Sequence, residues 1–292
     1  MKFIDLHTHS TFSDGTLTPT ELVVYAYKKG LSAIALTDHD TIHGLPEAAF
    51  AASNLGIKLV TGVEISVIFN NGMHKSKEFH LLGLGFDPYG DIATKLEELE
   101  NFRKERNKLL IKKFAELDID ITLDEVLEIS PSPNLTKAHF AQLLVKKGYA
   151  NDQFDAFTKY FSGSVATNLP KKCLTPNKAI DLIHSCGGIA VLAHPLRYGL
   201  KRDEVAELIT ILKSYGLDAI EAIYSTHDLE DELFLRNIAK KENLGISGGS
   251  DYHGELKKGI DIGIGRGELE VSMQVWDELQ KLNDKYGAGT DK

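Results

Sequence analysis

Short apolar runs alternate along the chain with longer stretches in which apolar positions recur at helical spacing. The β-branched runs near KFIDLHT, SAIALTD, KLVTGVEIS, EFHLLGLG, GIAVLAH, LDAIEAI and LGISGGSD read as strands. Helix-start signals fall between them. Thr18-Pro19-Thr20-Glu21 is a capping box with proline at the first helical position, and Thr175-Pro176 repeats the cap-and-proline signal before a helix ending near Gly187. Strands alternating with helices in this way predict βα units around a parallel sheet.

Residues 90–165 break the alternation. DIATKLEELENFRKERNKLLIKKFAEL and LTKAHFAQLLVKKGY read as charged amphipathic helices without strands between them. The expected organisation is a discontinuous barrel domain, residues 1–89 and 166–286, with residues 90–165 as a helical insertion forming a lid or side wall. The tail GAGTDK, 287–292, reads as disordered.

Composition narrows the function classes. A chain of 292 residues with 42% hydrophobic content can bury one barrel-sized core. Its formal charge of −9 disfavours broad attraction to double-stranded nucleic acid or to an anionic membrane. A small phosphorylated molecule or a short single strand remains compatible with a local cationic or metal-rich pocket. Two cysteines, Cys173 and Cys186, are too few for a disulfide framework and lack metal-ligand spacing. With no apolar leader and no run long enough to span a membrane, a cytoplasmic location is expected, and nothing points to an obligate protein partner.

The chemistry gathers at the strand ends. In DLHTHS, His7 and His9 are two apart on a strand, so their imidazoles share a face. TDHD carries Asp38, His39 and Asp40, GVEIS carries Glu64, EFHLLG carries His80, AHP carries His194, and SDYH carries Asp251 and His253. Six of the 11 histidines fall in these positions, which random placement would not produce. In a barrel such residues converge on one face. Imidazoles and carboxylates without thiolates suit manganese, iron or zinc. A bridging carboxylate such as Glu64 allows a cluster of ions, and clustered ions serve phosphate-ester hydrolysis by polarising the phosphoryl oxygen, activating water and stabilising the leaving oxygen.

HTHS at 7–10, SDG at 13–15, TDHD at 37–40, GVEIS at 62–66, AHP at 193–195 and SDYHG at 250–254 together resemble the PHP (polymerase and histidinol phosphatase) family, over residues 1 to about 265. Within it the chain is most similar to the TrpH-like branch, which acts on nucleoside 3',5'-bisphosphates and short RNA. The resemblance implies a distorted (β/α)7 TIM-like barrel with a trinuclear site. It further implies two or three divalent ions, Mn2+ foremost with Fe2+ or Zn2+ as alternatives. His7, His9, Glu64 and Asp251 would hold one ion, Glu64, His80 and His194 a second, and Asp14, His39 and His253 a third. Arg197 in AHPLRY matches a phosphate-binding arginine. His139 in KAHFA matches a histidine of a GR-x-H motif, with Lys137 and Thr136 standing where that motif has arginine and glycine. Lysine keeps the charge but loses the bidentate fork.

The implied reaction is hydrolysis of the 3'-phosphate of a nucleoside 3',5'-bisphosphate, extending to 5'-to-3' hydrolysis of short RNA. The rivals are a histidinol-phosphate phosphatase and a noncatalytic metal-stabilised module. His139, Asp40 or a metal-bound water would protonate the leaving oxygen. Asp5, Asp38 and Asp40 are candidates to orient ligand imidazoles. His43, His74, His184 and His227 match no motif and read as surface or packing residues. Arg103, Arg106, Lys112 and Lys113 lie in a run that reads as a solvated helix face. Gly248-Gly249 fits close backbone approach rather than a phosphate loop.

Overall fold

The computed structural model describes residues 2–69, 77–130, 134–161, 169 and 172–283. Its strands are β1 (Ile4–Thr8), β2 (Ala33–Leu36), β3 (Lys58–Phe69), β4 (Lys77–Leu84), β5 (Ile189–Leu192), β6 (Ala219–Tyr224) and β7 (Gly245–Gly249). Helices α1 (Pro19–Lys28) and α2 (Leu45–Leu55) join the first three strands. Next come α3 (Asp91–Ala115), α4 (Leu123–Ile129), α5 (Lys137–Lys146) and α6 (Gln153–Ala156), with α7 (Pro176–Ser185) leading into β5. The last three helices, α8 (Arg202–Ser214), α9 (Leu229–Glu242) and α10 (Met273–Asn283), alternate with and follow the final strands.

The strands form a single sheet in sequence order, β1 to β7. The His9 amide donates to the Tyr252 carbonyl and the Asp251 amide to the His7 carbonyl, so the two edges meet and the barrel nearly closes. All seven strands lie where the apolar runs place them. Alternation along them sorts the core. Ala33, Ala35, Val60, Leu82, Leu84 and Val191 cluster with Trp276 and Leu279 of α10, while Ile34, Leu36, Val63, Ile65, Leu81 and Leu192 belong to the cluster that includes α1, α2 and α7.

One strand departs from the expected parallel barrel. β4 runs antiparallel to both β3 and β5. Apolar periodicity carries no direction, so only the pairing reveals the reversal. β3 also continues well past GVEIS, to Phe69, which places Glu64 mid-strand rather than at an end. The reversal is what delivers His80. His80 pairs with Ser66, the residue two beyond Glu64 on the same face, and so stands diagonal to Glu64.

The capping box at Thr18 forms as read, with Pro19 in the first turn. Thr175 precedes α7 as expected, but its hydroxyl donates to Asn177 rather than capping the helix. Helices α3 to α6 share an apolar cluster of their own, built on Leu110, Phe114, Val126, Phe140, Leu144 and Phe161. The tail 287–292 and His74 lie outside the described residues.

Candidate metal centre

Sharp turns at three strand ends aim the site. Asp40, His194 and Asp251 follow β2, β5 and β7, and each adopts a positive φ, at 50°, 28° and 56°. Non-glycine residues seldom occupy this region, and they concentrate at functional sites. Asp14 comes instead from the loop after β1, which Asp38 secures by accepting from the Ser10 amide at 2.8 Å and the Ser13 hydroxyl at 2.6 Å.

Ligand atoms of His7, His9, Glu64 and Asp251 lie within 4.8 Å of one another. So do those of His9, Asp14, His39 and His253, and those of His39, Glu64 and His80. The three groups bring together eight of the nine expected residues and share His9, His39 and Glu64. His194 joins through Glu64, its Nε2 lying 2.9 Å from Oε1 of that carboxylate. Glu64 is the hub. Its Oε1 is also 2.7 Å from His80 Nδ1, and its Oε2 faces His7 at 3.3 Å, His9 at 3.1 Å and His39 at 3.1 Å.

Five of these residues keep a buried side-chain atom without a hydrogen-bond partner among the described residues: His7 Nε2, His9 Nε2, Asp14 Oδ1, Glu64 Oε2 and His194 Nδ1. Buried polar atoms are normally satisfied, and an orphaned group costs about 1–3 kcal/mol. Nitrogen and carboxylate lone pairs converging without donors are the arrangement that a divalent cation satisfies. The electrostatics agree. Burial opposes charge throughout, yet the neighbouring imidazoles hold Glu64 and Asp14 well below the usual carboxylate range, and Lys257 and His7 do so for Asp251.

A family model described as the PHP domain matches residues 5–163. The chain belongs to the PHP domain family. Relatives span almost its whole length. A Haemophilus influenzae protein named 5'-3' exoribonuclease is 36% identical over 95% of this chain and 99% of its own. A Chromobacterium violaceum 3',5'-nucleoside bisphosphate phosphatase is 34% identical over 96% and 97%. Among solved structures, an amidohydrolase from C. violaceum, with sulfate bound and no metal, shares 33% identity at a TM-score of 0.83 over 96% of both chains. This PHP protein is a metal-dependent phosphoesterase, and its cluster of histidines and carboxylates could hold several ions.

Around the PHP cluster lie residues that spacing alone did not nominate. Glu221 of β6 is buried, with Oε1 2.9 Å from His7 Nδ1 and Oε2 accepting the His194 amide at 2.8 Å. Asp5, the sequence candidate for orienting His7, spends its carboxylate on the backbone of His7, Ser250 and Gly263 and on the Ser250 hydroxyl. The signal for Glu221 was present in the AIEAI portion of LDAIEAI, where a single carboxylate interrupts a buried strand. Tyr224 donates to Asp251 Oδ2 at 2.7 Å, and Lys257 reaches the same oxygen at 2.5 Å. Tyr198 accepts the His80 amide at 2.9 Å and donates to the Ala193 carbonyl at 2.8 Å, tying β4 to the AHP turn.

The remaining candidates are distributed as follows. Asp40 accepts the Ser66 amide at 2.7 Å and pairs with Arg103, so neither its carboxylate nor that of Asp38 orients His39. Arg103 thus faces inward rather than lying on a solvated helix face. His139 is buried on α5, its Nδ1 accepting the Thr136 amide at 3.0 Å. Burial keeps it below the ordinary histidine range. Lys137 opens the same helix. His43, His184 and His227 contact Glu100, Asp218 and the Ala222 carbonyl, away from the cluster. Gly249 packs directly on His7, as close approach requires.

Above the cluster opens a cleft of about 520 Å³. His39, Glu64, His80 and His194 form part of its lining, and Arg197, exposed in the turn after His194, reaches it with Tyr224 and Lys257.

Proposed function

We propose that the protein removes the 3'-phosphate from nucleoside 3',5'-bisphosphates, leaving a nucleoside 5'-monophosphate, and also hydrolyses short RNA from the 5' end. The observation that carries this reading is the buried, donor-poor cluster opening into a cleft that holds an exposed arginine, in a chain whose full-length relatives bear phosphatase and exoribonuclease names.

His7, His9, Glu64 and Asp251 would hold one divalent ion, Glu64, His80 and His194 a second, and Asp14, His39 and His253 a third, with His9 and His39 at the shared edges. When bound, such ions supply Lewis acidity toward the phosphoryl oxygens and lower the pKa of water. Manganese is the proposed metal, with iron or zinc as alternatives. The chain itself does the rest. Arg197 binds the phosphoryl group through its planar guanidinium. Glu221 fixes the His7 tautomer and the His194 backbone, and Tyr224 with Lys257 turns Asp251 so that Oδ1 faces the histidines. His139 closes the capping box of α5 within electrostatic reach of Asp14, and it and Lys137 on the same helix are the proposed further contacts to the substrate. Residues 90–165 act as a side wall on the barrel of residues 1–89 and 166–286, and the enzyme works in the cytoplasm.

The test is phosphate release from adenosine 3',5'-bisphosphate against histidinol phosphate with added manganese. Preferential release from the bisphosphate, abolished in His7→Ala and reduced in Arg197→Ala, supports the reading. Turnover of histidinol phosphate alone would replace it.

A further inference from the structure

His39 belongs to two of the three ligand groups, yet it is supported differently from its neighbours. Behind His7 stands Glu221, and His253 turns its Nδ1 to the Asp251 carbonyl at 2.9 Å. Both ring nitrogens of His39 instead face carboxylates of the cluster itself, Nδ1 toward Glu64 at 3.1 Å and Nε2 toward Asp14 at 3.7 Å. With no hydrogen-bond partner outside the cluster among the described residues, the ring takes its aim from its backbone.

That backbone is a turn held from two sides. On one side β3 grips it: the Asp40 amide donates to the Glu64 carbonyl at 2.8 Å, and the Ser66 amide donates to the Asp40 carboxylate at 2.7 Å. On the other side lie α3 and the residues leading into α5. The Asn134 side-chain amide donates to the His39 carbonyl, and Arg103 of α3 pairs with the Asp40 carboxylate. Asn107, one helical turn beyond Arg103, donates to the Leu135 carbonyl at 3.0 Å and so joins the two grips into one frame. The helix is itself well seated. Ile92, Leu96 and Leu99 pack in the cluster that includes α1 and α2, whereas Leu110 and Phe114 pack in that of α4 and α5, and Arg103 projects from between these halves. Asp40 carries a φ of 50°, which a non-glycine residue keeps only where its surroundings over-determine it. Asn134 and Arg103 complete that constraint.

We propose that Asn134 and Arg103 are positioning residues that hold the His39–Asp40 turn from outside the strands and thereby set the affinity of the metal position that His39 serves. This rests on the metal reading of the cluster above, and it gives α3 and the approach to α5 a part in metal loading. Neither residue supplies a ligand atom; each acts through the turn, one on a carbonyl and the other on a carboxylate. His43 provides an internal comparison. It meets Glu100 of the same helix at 3.1 Å, but it is exposed and four residues beyond His39.

The experiment measures manganese binding by equilibrium dialysis for wild type, Asn134→Ala, Arg103→Met, Arg103→Lys, His43→Ala, His39→Ala and the Arg103→Met/His39→Ala double variant. In Asn134→Ala and Arg103→Met the affinity for one ion is expected to fall about 10- to 100-fold while the others are retained. Arg103→Lys, which keeps the charge, should recover part of the loss, and His43→Ala should bind as wild type does. The double variant should bind no worse than His39→Ala, because both changes act through one ligand. Unchanged binding in Asn134→Ala and Arg103→Met, an equal fall for every ion, a fall of the same size in His43→Ala, or additive losses in the double variant would overturn the proposal. If wild type binds no manganese, the metal reading itself fails, and hydrogen exchange on the metal-free protein then decides the hold on the turn. Faster exchange at the Asp40 and Ser66 amides in Arg103→Met and Asn134→Ala supports that hold, and unchanged exchange overturns it.

Discussion

Glu221 holds two histidines of the candidate metal centre at once: its Oε1 lies 2.9 Å from the ring of His7, and its Oε2 accepts the His194 amide at 2.8 Å. One buried carboxylate on β6 thus sets the tautomer of a residue on β1 and the turn that presents a residue after β5. In Glu221→Gln the shape is kept and the charge is lost. Metal affinity is expected to fall about 10- to 100-fold while the fold persists. Competition against a chelator, beside a thermal melt, measures both.

Metal binding should release protons. Burial favours neutral imidazoles, but Asp251 and Glu64 lift His9 to about 9, whereas burial takes His39 down to about 3. At neutral pH His9 must lose a proton to ligate, and His39 has none to lose. The metal-bound state therefore holds fewer protons, so affinity rises as pH climbs from neutrality through about 9. Calorimetry in buffers of different ionisation enthalpy counts the protons directly. Affinity that is flat through this range would show that His9 is already neutral before metal arrives.

Gly249→Ala should damage the site from outside it. A methyl group there would press on His7 Cβ and come within 2.6 Å of the His7 amide nitrogen, with Asp5 Oδ1 at 3.0 Å. These neighbours are backbone and buried side chain, so relief requires moving β1. A loss of more than about 2 kcal/mol is expected, read by denaturant unfolding.

Tyr198→Phe removes a hydroxyl that bridges His80 and Ala193. Leaving that amide and carbonyl without it costs about 1–3 kcal/mol. The same variant should loosen His80 and lower metal occupancy below wild type, measured by elemental analysis after dialysis. Full occupancy with reduced stability would confine Tyr198 to the fold.

The strands were legible because β-branched runs are local, and the candidate cluster because histidines and carboxylates recur on the strands and just beyond them. The direction of β4 was not, since alternation reads the same both ways; its reversal is fixed by pairing with β3 and β5. Asp14 was reached through resemblance alone, because a loop residue carries no periodic signal. Glu221 was visible as a charge within LDAIEAI but had no partner until β1 lay beside β7 and brought His7 across. Lys257, Lys258 and Arg266 are scattered over a loop, and their common direction exists only in three dimensions.

The positive φ angles of Asp40, His194 and Asp251 bear on how the site can be dissected by mutation. At these positions the backbone and the side chain are selected separately, the first by tolerance of the left-handed region and the second by chemistry. Alanine alters both and so confounds them. Asparagine tolerates that region while abolishing the carboxylate charge, and glycine relaxes the backbone while deleting the side chain. Paired asparagine and glycine replacements at Asp40 and Asp251 would therefore separate the loss of a charge from the loss of a shape, a distinction that an alanine scan of the barrel rim would hide.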